Sequence, residues 1–215
     1  MALFNCNRVR PTIKILSIVY VFAIAAAVIS SYIGANYTLP KTYGFLYSIS
    51  VYFILTSTTL SFKNKGSALF TANSIFWITT SILIGIYYVA NHNHFWNASS
   101  IWSYVIFIRI FMGAFFEELL FRKYVVDYLY DAKYSVLLTA IFSTLLFSVF
   151  HSVNLFKAPL AAVINQMVYA FIMGALYFLS RRVTSSWAAA ILPHLLSNLA
   201  LGSYAYFDLD QYLLQ

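Results

Sequence analysis

Two adjacent carboxylates, Glu117 and Glu118, stand in the apolar stretch running from Phe111 to Lys123, and they are the only glutamates in the 215-residue chain. A charge near the middle of a bilayer costs at least ~2.5–3.5 kcal/mol, so two side by side need partners or a task. On a helix Glu118 and Arg122 are one turn apart and adjacent, whereas Glu117 points ~100° away from Glu118. One carboxylate can therefore be held in an ion pair while the other is left for chemistry. Taken alone, the pair reads equally well as a structural clamp between two helices.

Two histidines lie in other apolar runs. His151 ends Phe147-Ser148-Val149-Phe150-His151, and His194 follows Pro193 and opens His194-Leu195-Leu196-Ser197-Asn198. Four-residue spacing puts His194 and Asn198 on one helix face. A lone buried histidine is more often a helix contact than a catalyst; two of them beside an intramembrane glutamate pair weigh towards chemistry. Peptide hydrolysis needs an activated water, a base to take its proton, and donors for the tetrahedral oxyanion. Glu117 and His151 can hold and deprotonate a water, while His194 and the Asn198 amide can donate to the oxyanion. Glu117, His151 and His194 are equally a candidate metal set, one carboxylate and two imidazoles with an open position for water, and zinc would be its cofactor. The spacing does not choose between the two. Neither a zincin H-E-x-x-H motif nor a G-x-S-x-G nucleophile elbow is present.

The elements that must position these residues are membrane helices. The chain is 62% hydrophobic and 9% charged, against ~25% charged in a soluble domain. A net charge of +7 would suggest nucleic acid in a soluble protein; here the basic residues sit between apolar runs, so no nucleic-acid partner is expected and the bilayer is the first partner. The hydrophobic pattern predicts an all-α bundle of about seven spans, at about 13–33, 43–62, 68–90, 101–130, 134–154, 160–179 and 186–206. Breakers fall between them at Pro40, Lys63–Gly66, Asn91–Ser100, Asp131–Lys133, Pro159 and Arg181-Arg182. The whole of residues 1–215 reads as one integral-membrane domain, with its motif-bearing core at about 101–206. The first apolar run is too long for a cleavable signal-peptide core of ~7–15 residues, so a retained first span is expected.

With the N-terminus cytoplasmic, ten of the 13 Lys and Arg residues fall on inner segments, two (Lys41 and Lys157) on outer ones, and Arg109 inside the fourth helix. That is the positive-inside pattern. His92 and His94 form an H-x-H pair in the polar outer loop, best read as solvated. Asn36-Tyr37-Thr38 and Asn97-Ala98-Ser99 match the glycosylation pattern, which matters only in a eukaryote. The single cysteine, Cys6, precludes an internal disulfide. Glu117 and His151 are equally spaced about residue 134, so a hairpin turning at Asp131–Lys133 puts each ~25 Å from the turn and at one level. Beyond His151 either the fifth helix continues or the Ser152–Pro159 connection dips into the protein.

Glu117-Glu118-x-x-x-Arg122, Phe147-x-x-x-His151 and His194-x-x-x-Asn198, in this order on the fourth, fifth and seventh expected helices, resemble the three-motif signature of the CPBP intramembrane proteases. That family joins type II CAAX prenyl endopeptidases with bacterial bacteriocin-processing and self-immunity (Abi) proteins. The resemblance implies that Glu117 and His151 activate water, alone or with a metal, that His194 and Asn198 stabilise the oxyanion, and that Glu118 and Arg122 support the site. It further implies a membrane-associated or lipidated substrate, such as a CAAX-like protein or a pheromone or bacteriocin precursor, with a bacterial plasma membrane as the expected location. A non-catalytic immunity or scaffold protein is the alternative. A small transporter with a Glu/His proton path is disfavoured because no inverted repeat is visible.

Overall fold

The computed structural model describes residues 17–29, 32, 47, 49–56, 71–91 and 100–200. Cys6, Lys41, His92, His94, the two Asn-x-Ser/Thr sites and the outer bounds of the first two expected spans lie outside these residues. Every element is helical, and no strand occurs among the described residues. The order is α1 (Ser17–Ile29), α2 (49–56), α3 (Ala72–Asn91) and α4 (Ser100–Glu118). A π-helical segment, Leu119–Val125, carries α4 into α5 (Val126–Asp131). Then come α6 (Val136–Phe150), a 3₁₀ turn (His151–Phe156) and α7 (Leu160–Thr184). A second 3₁₀ turn, Trp187–Ala190, opens into α8 (191–200).

The packing is that of a protein solvated by lipid. Charged Glu118 and Arg122 are 0% exposed, while Leu137 is 69% and Val183 74% exposed. In water this would be inside out; in hydrocarbon it is the stable arrangement, because ionisable groups turn to the bundle interior and aliphatic ones meet acyl chains. Among the described residues three helices, within 72–90, 136–156 and 160–184, are long and apolar enough to cross a membrane. The chain is thus an all-α membrane helix bundle. Its central core joins Leu55, Phe116, Phe121, Phe147, Ala170 and Tyr177, drawn from α2, α4, the π segment, α6 and α7.

The hairpin after α5 forms where the sequence places it. Lys133 takes a left-handed conformation (φ 65°), and its N–H and that of Tyr134 donate back to Tyr130 and Leu129 carbonyls at 2.9 and 3.0 Å. Ser135 then caps α6, its Oγ accepting from the Leu138 N–H at 3.3 Å, which satisfies one of the orphan donors of the first turn.

Two boundaries differ from the sequence reading. Arg181-Arg182 do not break the sixth expected span at 179. They lie in the last turn of α7, which runs to Thr184. Arginine is a good helix former, and cations are favoured at a helix C-terminus; the reversal comes at Ser185, which is left-handed (φ 56°). Beyond His151 the chain neither continues as α-helix nor simply dips, but tightens into the 3₁₀ turn. That turn is tied to the first helix by Tyr20 Oη and Ser152 Oγ, 2.5 Å apart.

The ends expected on the cytoplasmic side meet. Asn73, at the start of α3, donates from Nδ2 to the Thr184 carbonyl at 3.0 Å, and Asp127 of α5 pairs with Arg181 of α7 at 2.6 Å.

Close approach of α7 to the π segment depends on Gly174. A Cβ there would sit 3.0 Å from Phe147 Cδ1, 3.1 Å from Thr144 Cγ2 and 3.1 Å from Arg122 Nη2. Only the third could yield as a flexible end, and it is already hydrogen-bonded. Gly174→Ala is therefore expected to lower stability by about 1–3 kcal/mol through overpacking, read as an earlier thermal melt in detergent. A melt equal to wild type would show that α6 and α7 can separate at no cost.

Candidate active site

Arg122 anchors the site. Its Nε lies 3.3 Å from Glu118 Oε2, both side chains being 0% exposed. The two atoms are not aligned as a hydrogen bond, and each is buried with no other partner among the described residues. The attraction is thus one of charge in a poorly polarisable interior, where breaking a pair costs far more than forming it gains. Nη2 donates to the Gly174 carbonyl at 3.0 Å, and the guanidinium lies 4.4 Å from the Phe147 ring centroid and 5.3 Å from that of Tyr177. Backbone, rings and carboxylate together fix one position for the cation.

The other Glu118 oxygen, Oε1, is 2.8 Å from His194 Nδ1. A carboxylate only accepts, so the proton of this bond sits on Nδ1, and the ring turns Nε2 to the opposite side. There Nε2 faces Glu117 Oε2 at 3.6 Å. Both glutamates therefore reach one imidazole, one at each nitrogen. The 3.6 Å gap is too long for a direct hydrogen bond, and a water beside it can bind both atoms at ~2.8–3.0 Å. Glu117 is the more open of the two carboxylates, its side chain 12% exposed against 0% for Glu118.

His194 is held flat as well as turned. Tyr177 stacks on it at 4.7 Å with 17° between planes, and Phe147 meets it edge-on at 5.6 Å. Ser197 Oγ donates to the His194 carbonyl at 2.8 Å. Its one proton is used there, so in the 2.5 Å contact with Tyr177 Oη the phenol is the donor. Tyr177 and Gly174 were not singled out in the sequence. The available signal was a hydroxylated ring three residues after a glycine in an apolar helix, which puts both on one face.

His151 opens the 3₁₀ turn directly after α6. Its Nδ1 is 3.0 Å from the Phe147 carbonyl, one turn back, and no ion pair joins it to Glu117 among the described residues. The Phe147 ring packs edge-on against His151 as well, at 4.9 Å, so one phenyl touches both imidazoles and stands at the boundary between them. The candidate zinc set of Glu117, His151 and His194 does not converge: among the described residues no three His, Cys, Asp or Glu side chains gather as metal ligands. The side chains as placed do not fit a resident metal, and no step is derived through one. Asn198 is half-buried one turn beyond His194, and its amide has no hydrogen-bond partner among the described residues.

A carboxylate–imidazole–carboxylate chain inside an apolar helix bundle defines the chain's class as an integral-membrane protein with a buried polar centre. Residues 99–200 match the family model of type II CAAX prenyl endopeptidase Rce1-like proteins. That segment contains all three motifs, and the family it is similar to is the one that the motifs resemble. No curated protein and no solved structure matches the chain.

Proposed function

We propose that the chain is an intramembrane endopeptidase in which Glu117 activates a water held between its Oε2 and His194 Nε2. The observation that carries this reading is the imidazole of His194 set between two carboxylates, one fully buried and one slightly open, in the segment that matches a protease family. Glu118, charge-paired with Arg122, fixes the tautomer and plane of His194. Glu117 takes a proton from the water as its oxygen bonds to the scissile carbonyl carbon. The oxyanion so formed accepts from the Asn198 amide, one turn along α8. Collapse breaks the C–N bond, and Glu117 passes its proton to the departing amine. His151, on the far side of Phe147, borders the same space and is assigned to substrate or water positioning. The chain forms one membrane domain, with its N-terminus cytoplasmic in a bacterial plasma membrane.

The substrate class is a peptide already in the membrane, lipidated in the manner of a CAAX protein or apolar like a pheromone or bacteriocin precursor. Purified protein in liposomes is expected to cleave a farnesylated Cys-a-a-X peptide at least ~10-fold faster than its unprenylated twin, because the lipid delivers the peptide to the bilayer. Product analysis by mass spectrometry reads the ratio. Equal rates on both would remove the lipidated class and leave the apolar precursors.

A further inference from the structure

Away from this centre, the inner ends of α5 and α7 border a half-open cavity of about 220 Å³ lined by Tyr130, Phe178, Arg181, Arg182 and Ser185. Its size corresponds to roughly seven waters at ~30 Å³ each, room for a phosphodiester and part of a headgroup. We propose that this cavity binds the phosphate of an anionic phospholipid.

Charge supports an anion. Lys123, Lys133, Arg181 and Arg182 stand against Asp127 and Asp131 over these helix ends and their turn, four cations to two carboxylates. The C-terminus of α7 adds about half a negative charge, too little to cancel the excess. Asp127 is already divided, taking Lys123 Nζ at 2.6 Å and Arg181 Nη2 at 2.6 Å. That pairing, with Tyr130 lying 5.9 Å under the Arg181 guanidinium, holds Arg181 in place before any ligand arrives. Its other terminal nitrogen, Nη1, is buried and without a hydrogen-bond partner among the described residues, a donor that the protein itself leaves unused. Arg182 is exposed and forms no ion pair among the described residues. The Ser185 hydroxyl, on its left-handed turn, lies at the same mouth.

Position makes the ligand a lipid and not a free phosphate. Arg182 ends a helix whose outer stripe is apolar and exposed: Leu179, one turn before it, is 54% exposed, and Val183 beside it 74%. Acyl chains can run along that stripe while the phosphate enters the cavity. Basic pockets between helices at a membrane surface take anionic headgroups in this way.

The test is lipid retention by native mass spectrometry on the purified full chain, after delipidation and addition of phosphatidylglycerol or phosphatidylcholine. The wild type is expected to keep one phosphatidylglycerol through activation that strips phosphatidylcholine. Arg182→Ala, at an exposed position, should lower that occupancy about fivefold with an unchanged thermal melt. Lys133→Asn, also exposed but outside the cavity lining, should leave it within about twofold. Equal retention of the two lipids overturns the proposal, as does an equal loss in both variants, which would mark diffuse attraction to a basic surface. Displacement of the lipid by millimolar inorganic phosphate would also overturn it, making this a free-phosphate site. None of these outcomes depends on peptidase activity.

Discussion

Arg122→Leu is expected to melt well below the wild type in detergent and to lose cleavage at the same time. Leucine is too short to reach between Phe147 and Tyr177, so a small void adds to an effect that is mainly electrostatic. Glu118, 0% exposed, would keep its carboxylate with no cation beside it, and leaving one partner of a buried pair costs about 3–5 kcal/mol. The Gly174 carbonyl would lose its donor as well. Activity falls because Glu118 is also the group that orients His194. The double variant Glu118→Gln with Arg122→Leu separates the two effects: removing the charge together with its partner should restore most of the stability, since a buried pair replaced as a unit is often neutral. A single Arg122→Leu variant that melts within about 1 kcal/mol of wild type would show that Glu118 is not sustained by this arginine.

Glu117→Gln is expected to behave in the opposite sense. The amide keeps the shape but cannot take a proton, so turnover should fall by about 10²–10⁴-fold, the range for loss of a general base. Stability should change by less than about 1 kcal/mol, since a contact too long for a direct hydrogen bond contributes little. The Nε2–Oε2 distance in question is 3.6 Å, on the more open carboxylate. Kinetics on a farnesylated peptide and a melt on the same preparation read both. A strongly destabilised Glu117→Gln protein with near-normal turnover would reverse the roles of the two glutamates.

Much of this was legible in the sequence because membrane burial leaves few options for a charge. Glu118 and Arg122, four apart in an apolar run, had only each other, and local helix geometry sufficed to pair them. The hairpin at Asp131–Lys133 was marked by two charged residues between two apolar runs. What could not be read was set by contacts between distant segments. That Glu117 also turns to His194 depends on how α8 is rolled against α4. Nor could the local windings be read: the π segment at Leu119–Val125 and the 3₁₀ turn at His151–Phe156 interrupt the regular α-helix that residue counting assumes. The bond from His151 Nδ1 to the Phe147 carbonyl follows from the tightened turn, and no composition signal announces it. Arg181 read as a helix stop until its partner, Asp127, 54 residues earlier, was in view.

A peptidase centre of this kind must hydrolyse a peptide bond inside the membrane. The direct measurement is mass spectrometry of a farnesylated Cys-a-a-X peptide incubated in heavy-oxygen water with liposomes of the wild type or of Glu117→Gln. The expected result is one new carboxyl terminus carrying a single heavy oxygen, formed by the wild type and absent with Glu117→Gln. Cleavage by Glu117→Gln at the wild-type rate would contradict a role for Glu117 as the base.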